Sequence, residues 1–190
     1  ILEENYGMMR RWMSYCEKRA QKTRPHNLLN PYHKYLVDEG FHFGEWCQPD
    51  VDNSAAMKKT MMLGAPEVAT AYYYRSASLM AQIAQILDRP ADAEHYAVIA
   101  DNARKAYRRC CTKNGSIDSD RQCEYVRPIS FGLLEGEEVQ RAADALNTLV
   151  VKNGYHLNTG FLSTPDLCRV LAENGHADTA YRLLLQSECP

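Results

Sequence analysis

The sequence predicts an all-α fold built of antiparallel helix hairpins, and three observations point there. Apolar residues recur at three- and four-residue spacing over most of the chain. Short breaks rich in Gly, Pro and Asn separate those stretches. Alternating apolar and polar runs, the mark of strands, are nearly absent.

The first element lies near residues 3–22, where Tyr6, Met9, Met13 and Cys16 share one face and the opposite face is basic. Residues 23–66 lack helical period and carry Pro25, Pro31, Pro49 and Pro66. Tyr32, Tyr35, Phe41, Phe43 and Trp46 are not linker residues, so this reads as a long structured excursion; loops of that length in compact domains are usually functional. A helix over about 67–87 follows, with Val68, Ala71, Tyr72, Leu79, Ile83 and Ile86 on its stripe. Pro66 is tolerated in its first turn, and Glu67 suits the positive end of the helix dipole. Asp88-Arg89-Pro90 stops it, and a helix over 91–111 places Ala93, Tyr96, Ala100, Ala103 and Tyr107 on one face.

Asn114-Gly115 is a turn signal. Helices near 121–134 and 136–151 come next, the second with a stripe of Val139, Ala142, Leu146 and Leu149 closed by Asn153-Gly154. The segment from Tyr155 to Phe161 has no period. A last pair spans about 164–174 and 176–187, with Thr164 as N-cap, Pro165 in the first helical position and Gly175 between the two. Tandem hairpins fit an α-solenoid or an α/α toroid, and their unequal spacing disfavours the regular solenoid. The six or seven helices amount to roughly half of a twelve-helix ring. Ile1 opens the chain without an initiator Met, and Cys189-Pro190 closes it after an apolar helix. Residues 1–190 are therefore expected to be part of one toroidal domain, truncated at both ends. Such a piece should expose apolar ring faces and self-associate through them.

Composition narrows the function. Hydrophobic residues at 45% and charged residues at 24% describe a globular chain rather than a disordered one. A net charge of −2 leaves no footprint for nucleic acid or an anionic membrane, and no apolar run approaches the roughly 18 residues of a membrane span. Seven cysteines, odd in number and without a C-x-x-C pair, read neither as a disulfide framework nor as a zinc site; free thiols lean toward a reducing, cytoplasmic compartment. No G-x-S-x-G elbow, phosphate loop or H-E-x-x-H helix is present, and the thiols and histidines do not cluster with metal-ligand spacing.

Three non-helical segments collect the remaining chemistry. In Phe41-His42-Phe43-Gly44-Glu45-Trp46 a carboxylate stands beside an indole on a glycine turn. That suits a sugar, whose hydroxyls donate to the carboxylate while its apolar face stacks on the ring; a loop anchored by its Trp is the plainer alternative. His42 among aromatics reads as a packed loop histidine, and the run Tyr72-Tyr73-Tyr74 as core. In Asp120–Pro128, Gln122 and Tyr125 lie about one turn apart, and Arg127 is placed either to pair with a carboxylate or to touch a ligand. In Gly154–Phe161, His156, Asn158 and Thr159 are suited to hydrogen-bonding a substrate or to satisfying buried backbone.

These segments carry a family resemblance. Phe43-Gly44-Glu45-Trp46, Val68–Tyr74, Gln122 with Phe131-Gly132-Leu133-Leu134, and above all Gly154–Pro165 resemble the bacterial α-L-rhamnosidases of glycoside hydrolase family 78 over the whole chain. The resemblance implies an (α/α)6 catalytic domain and cofactor-free, inverting removal of terminal α-L-rhamnose from glycosides or polysaccharides. It implies that Trp46 packs against bound rhamnose, with Glu45, Gln122 and His156 as further substrate-binding residues. The family has Asp where this chain has Glu45, one methylene longer. It also implies that the catalytic acid and base lie outside these residues, because the family's Asp-Glu-Arg motif is missing and its base follows the helix ending at Leu184-Leu185-Gln186. Two alternatives stand beside it: a helical-repeat binding module, and another α/α-toroid carbohydrate-active enzyme.

Overall fold

A computed structural model describes residues 1–22, 24–49, 51–52, 54–55, 58 and 65–188. Among them the chain forms seven α-helices, two short 3-10 turns and a single isolated β-bridge. The helices are α1 (Leu2–Ala20), α2 (Pro66–Ile86), α3 (Pro90–Cys111), α4 (Gln122–Phe131), α5 (Glu137–Lys152), α6 (Thr164–Glu173) and α7 (Ala177–Leu184). The expected all-α class and its hairpins are present. Two compact units divide the chain: Ile1–His42 with Leu63–Cys111, and Phe43–Met62 with Thr112–Pro190.

In the first unit α2 and α3 form a closely packed hairpin. Its seam is alanine: Ala71, Ala77, Ala81 and Ala84 on α2, with Ala93, Ala100, Ala103 and Ala106 on α3, are all buried. Small side chains let two helices approach to the short end of the usual 8–10 Å range. The expected stripe of α2 is therefore partly wrong. Leu79 and Ile86 are 40% and 70% exposed, and the buried face of α2 is instead the one rich in small residues. Tyr73 and Met80 complete the buried face, each burial worth about 1.5–3 kcal/mol. On α1, Tyr6 and Met13 enter the same core, with Met9 and Cys16 partly buried against it.

The described part of the 23–66 excursion is structured, as expected. The turns Pro25–Asn27 and His33–Tyr35 lead to buried Leu36, Val37 and Asp38. Asp38 is held by the backbone N–H of Arg24 (3.2 Å) and the amide of Asn27 (2.6 Å), while the Val37 N–H donates to Thr70 Oγ1 at 3.0 Å.

The six described cysteines are free thiols, and Cys189 lies outside the described residues. Their environments differ. Burial pushes the Cys16 thiol up to about 11, whereas a hydrogen bond with Cys111 holds exposed Cys110 below the usual thiol range. The thiolate is the nucleophile. Limited iodoacetamide treatment near pH 8 is thus expected to alkylate Cys110 well before Cys16, as read by peptide mass spectrometry. Equal rates would contradict the environments described.

In the second unit α4, α5, α6 and α7 surround a core of Val126, Leu134, Leu146, Val150, Leu167, Val170 and Leu171. Asn114-Gly115 makes a two-residue turn with both residues at positive φ (52° and 75°), and Lys113 and Ser116 exchange both backbone hydrogen bonds across it. The sequence reading has a bare turn there. Helix α4 ends at Phe131, three residues before the expected limit, because Gly132 adopts a left-handed conformation (φ 76°). Thr164 is the first residue of α6 rather than its cap: Ser163 takes the cap position, and Thr164 Oγ1 donates back to the Gly160 carbonyl at 2.8 Å.

Candidate active site

The site residues foreseen from sequence all fall in the second unit, gathered along the segment 154–165. Glu45 and Trp46 sit between two left-handed positions, Gly44 (φ 64°) and Cys47 (φ 59°), which turn the backbone sharply on both sides. The Glu45 side chain is 5% exposed. One carboxylate oxygen accepts from the backbone N–H groups of Gly160 and Ser163, each at 3.0 Å. The other accepts from Arg127 Nη1 (2.5 Å) and from the Ser163 hydroxyl (3.0 Å). Arg127, on α4 and 2% exposed, also donates to Ser163 Oγ at 2.9 Å, so Arg127, Ser163 and Glu45 form a closed ring of hydrogen bonds.

Trp46 is half-buried. Its carbonyl accepts the Phe161 N–H at 2.9 Å, and its ring meets Phe43 edge-on, with centroids 5.0 Å apart and planes at 89°. Gly160 lies directly beneath this contact, where a Cβ would collide with the Trp46 carbonyl oxygen.

Gln122 is also buried, and both ends of its amide are used. Its Nε2 donates to the His156 carbonyl at 3.2 Å, and its Oε1 accepts the Asn158 N–H at 2.8 Å. Tyr125, its neighbour one turn on, faces the core, and its hydroxyl donates to the Ser119 carbonyl at 2.9 Å. His156 Nδ1 lies 3.1 Å from the Asn153 carbonyl, which can only accept, so Nδ1 donates in that bond and Nε2 is the ring's other nitrogen. That Nε2 is buried and has no hydrogen-bond partner among the described residues. Thr159 and Thr164 pair through their hydroxyls at 2.7 Å.

Beside this segment lies a mainly apolar hollow of about 450 Å³, lined by Cys47, Pro49, Leu157, Thr159, Phe161 and Pro165 among others. No described Asp or Glu lines it. Among the described residues no cluster of His, Cys, Asp and Glu is placed to hold a metal, and no helix is long and apolar enough to cross a membrane.

The structure thus brings Glu45 and Trp46 onto residues 160–163 and Gln122 onto residues 156–158. It settles the choice left open for Arg127, which pairs with a carboxylate. Sequence reasoning missed Ser163 and the reason for Gly160. Both stood within the recognised motif, but a residue 118 positions from Glu45 gives no local signal of its contact.

Seven helices joined as hairpins, with no strand among the described residues, define a domain of the α/α-hairpin class. The comparisons specify it. Residues 1–190 match the bacterial alpha-L-rhamnosidase 6 hairpin glycosidase domain, and the chain belongs to that family, whose six hairpins are those of the (α/α)6 class. It is 30% identical to an alpha-L-rhamnosidase of Formosa agariphila and 31% identical to one of Streptomyces avermitilis, all of this chain aligning in both cases. It spans 19% and 16% of those proteins' lengths. The crystal structure of the Streptomyces avermitilis alpha-L-rhamnosidase complexed with L-rhamnose superposes with a TM-score of 0.79 at 30% identity, over all of this chain and 16% of that one.

Proposed function

We propose that this chain supplies the sugar-holding part of an inverting glycoside hydrolase that removes terminal α-L-rhamnose from glycosides or polysaccharides. The observation that carries the reading is Trp46: a half-buried indole on a sharply turned loop, tethered on both sides to residues 160–163. Trp46 stacks on the apolar face of the sugar. His156, its buried Nε2 unpartnered, is the further substrate-binding residue of this segment. Glu45 and Gln122 serve from behind, since their polar atoms are already engaged by Arg127, Ser163 and backbone groups.

Inversion requires one carboxylic acid to protonate the leaving oxygen and a second carboxylate to activate water, roughly 6.5–9.5 Å apart. Glu45 fills neither place, because both of its oxygens are already occupied by Arg127, the Ser163 hydroxyl and two backbone N–H groups. The acid and base therefore lie outside these residues, and the chain alone is inert.

The test is hydrolysis of p-nitrophenyl α-L-rhamnoside by this chain and by a protein carrying it with the rest of a six-hairpin domain. Only the larger protein is expected to be active. In it, Trp46→Ala should lower kcat/KM by roughly tenfold to a hundredfold, the value of one buried apolar side chain of about 1.5–3 kcal/mol. Failure of the larger protein to bind or cleave rhamnosides would refute the assignment.

A further inference from the structure

We infer that Arg127 is a positioning residue of the sugar site, fixing the loop that carries Trp46 through the carboxylate of Glu45. The inference rests on the reading of Trp46 as the sugar platform. Three segments far apart in sequence meet at one buried ion pair: Glu45 on its turn, Arg127 on α4, and Gly160–Ser163 before α6. Trp46 follows Glu45 directly, and its own carbonyl is tied to Phe161 on the same turn. The indole is thus flanked by a side-chain tether and a backbone tether, both ending on residues 160–163.

The guanidinium does what a neutral residue cannot. Glu45 and Arg127 are 5% and 2% exposed, so neither charge is left to solvent. Breaking a buried pair by removing one partner leaves the other uncompensated, and the stranded group must leave its site. For Glu45, leaving means releasing Gly160 and Ser163, with Trp46 moving along. Removing both charges strands neither. A Gln at position 45 still accepts from the Gly160 and Ser163 N–H groups, and its amide donates to Ser163 Oγ. Arg127 therefore acts on the sugar through the turn it holds together with Glu45 and Ser163, and its loss is offset by neutralising Glu45.

The experiment uses this chain with Trp12→Phe, which leaves Trp46 as the one indole, since the sequence holds two Trp. Arg127→Met, Glu45→Gln and the double variant are compared by Trp46 emission, acrylamide quenching and L-rhamnose titration. Each single variant is expected to red-shift the emission, raise quenching and weaken L-rhamnose binding at least tenfold. The double variant is expected to recover most of all three signals. A folded Arg127→Met with unchanged Trp46 emission and L-rhamnose affinity overturns the inference, as does a double variant no better than the singles. If Arg127→Met fails to fold, the double variant decides: native-like emission supports the inference and displaced emission overturns it. If the parent chain does not bind L-rhamnose, the sugar reading fails, yet rescue of Trp46 emission in the double variant still upholds the positioning role.

Discussion

Gly160→Ala is expected to destabilise the protein by about 3 kcal/mol or more and to abolish any response of Trp46 to L-rhamnose. The added methyl would stand on the Trp46 carbonyl oxygen, with the Glu45 side chain behind it. Neither neighbour is the free end of a flexible chain: the carbonyl is bonded to Phe161 N, and Glu45 to Arg127, Ser163 and Gly160 itself. Relief therefore requires the two loops to separate, which strips Glu45 of its backbone donors inside the protein. Gly7→Ala is the natural control. Gly7 lies inside α1, and a Cβ there meets only the end of Arg11 at 3.7 Å, so Ala should stabilise by about 0.5–1 kcal/mol. Urea unfolding midpoints of the two variants should move in opposite directions. A Gly160→Ala midpoint equal to wild type would show that the contact between loops is not maintained in solution.

Leu146→Ala should cost about 2–5 kcal/mol. Leu146 is fully buried at the middle of α5, among Ala142, Ala143 and Val150 on its own helix and in one core with Leu167, Val170 and Leu171 of α6. Helices do not close over a void left by a missing isobutyl group, so the loss combines transfer free energy with the cavity left behind. Val151→Ala, at a position 43% exposed on the same helix, should change stability by less than about 0.5 kcal/mol. Equal losses for the two variants would mean that the α5 face meeting the core is not the one described.

How much of this was legible before the structure depends on range. The helices, their proline starts and the breaks at Asn114-Gly115, Asn153-Gly154 and Gly175 are local, and a chain displays them residue by residue. The stripe of α3 was read correctly because Ala93, Tyr96, Ala100, Ala103 and Tyr107 lie on its buried face. The stripe of α2 was not. Hydrophobicity favoured Leu79 and Ile86, whereas the packing distance set by a facing row of alanines favoured Ala77, Ala81 and Ala84. At the candidate site, Trp46, Gln122 and His156 were singled out through motif order. What each side chain does was not, because a carboxylate that binds sugar and one that anchors a loop look alike in sequence. Only the partners of Glu45, more than eighty residues away, tell them apart.

The same separation has a consequence for the order in which the molecule assembles. The bonds from Glu45 to Gly160 and Ser163 close loops of 115 and 118 residues, while the hairpin of α2 and α3 joins segments that are neighbours in sequence. Closing a loop that long costs about 4 kcal/mol of chain entropy on the logarithmic scaling, before any contact there offsets it. Folding that begins with local contacts completes the hairpins first and reaches the long-range tie last. Trp46 is thus fixed in place only at the end of folding. Any state in which the last tie has not closed would hold well-formed helices and an unanchored Trp46.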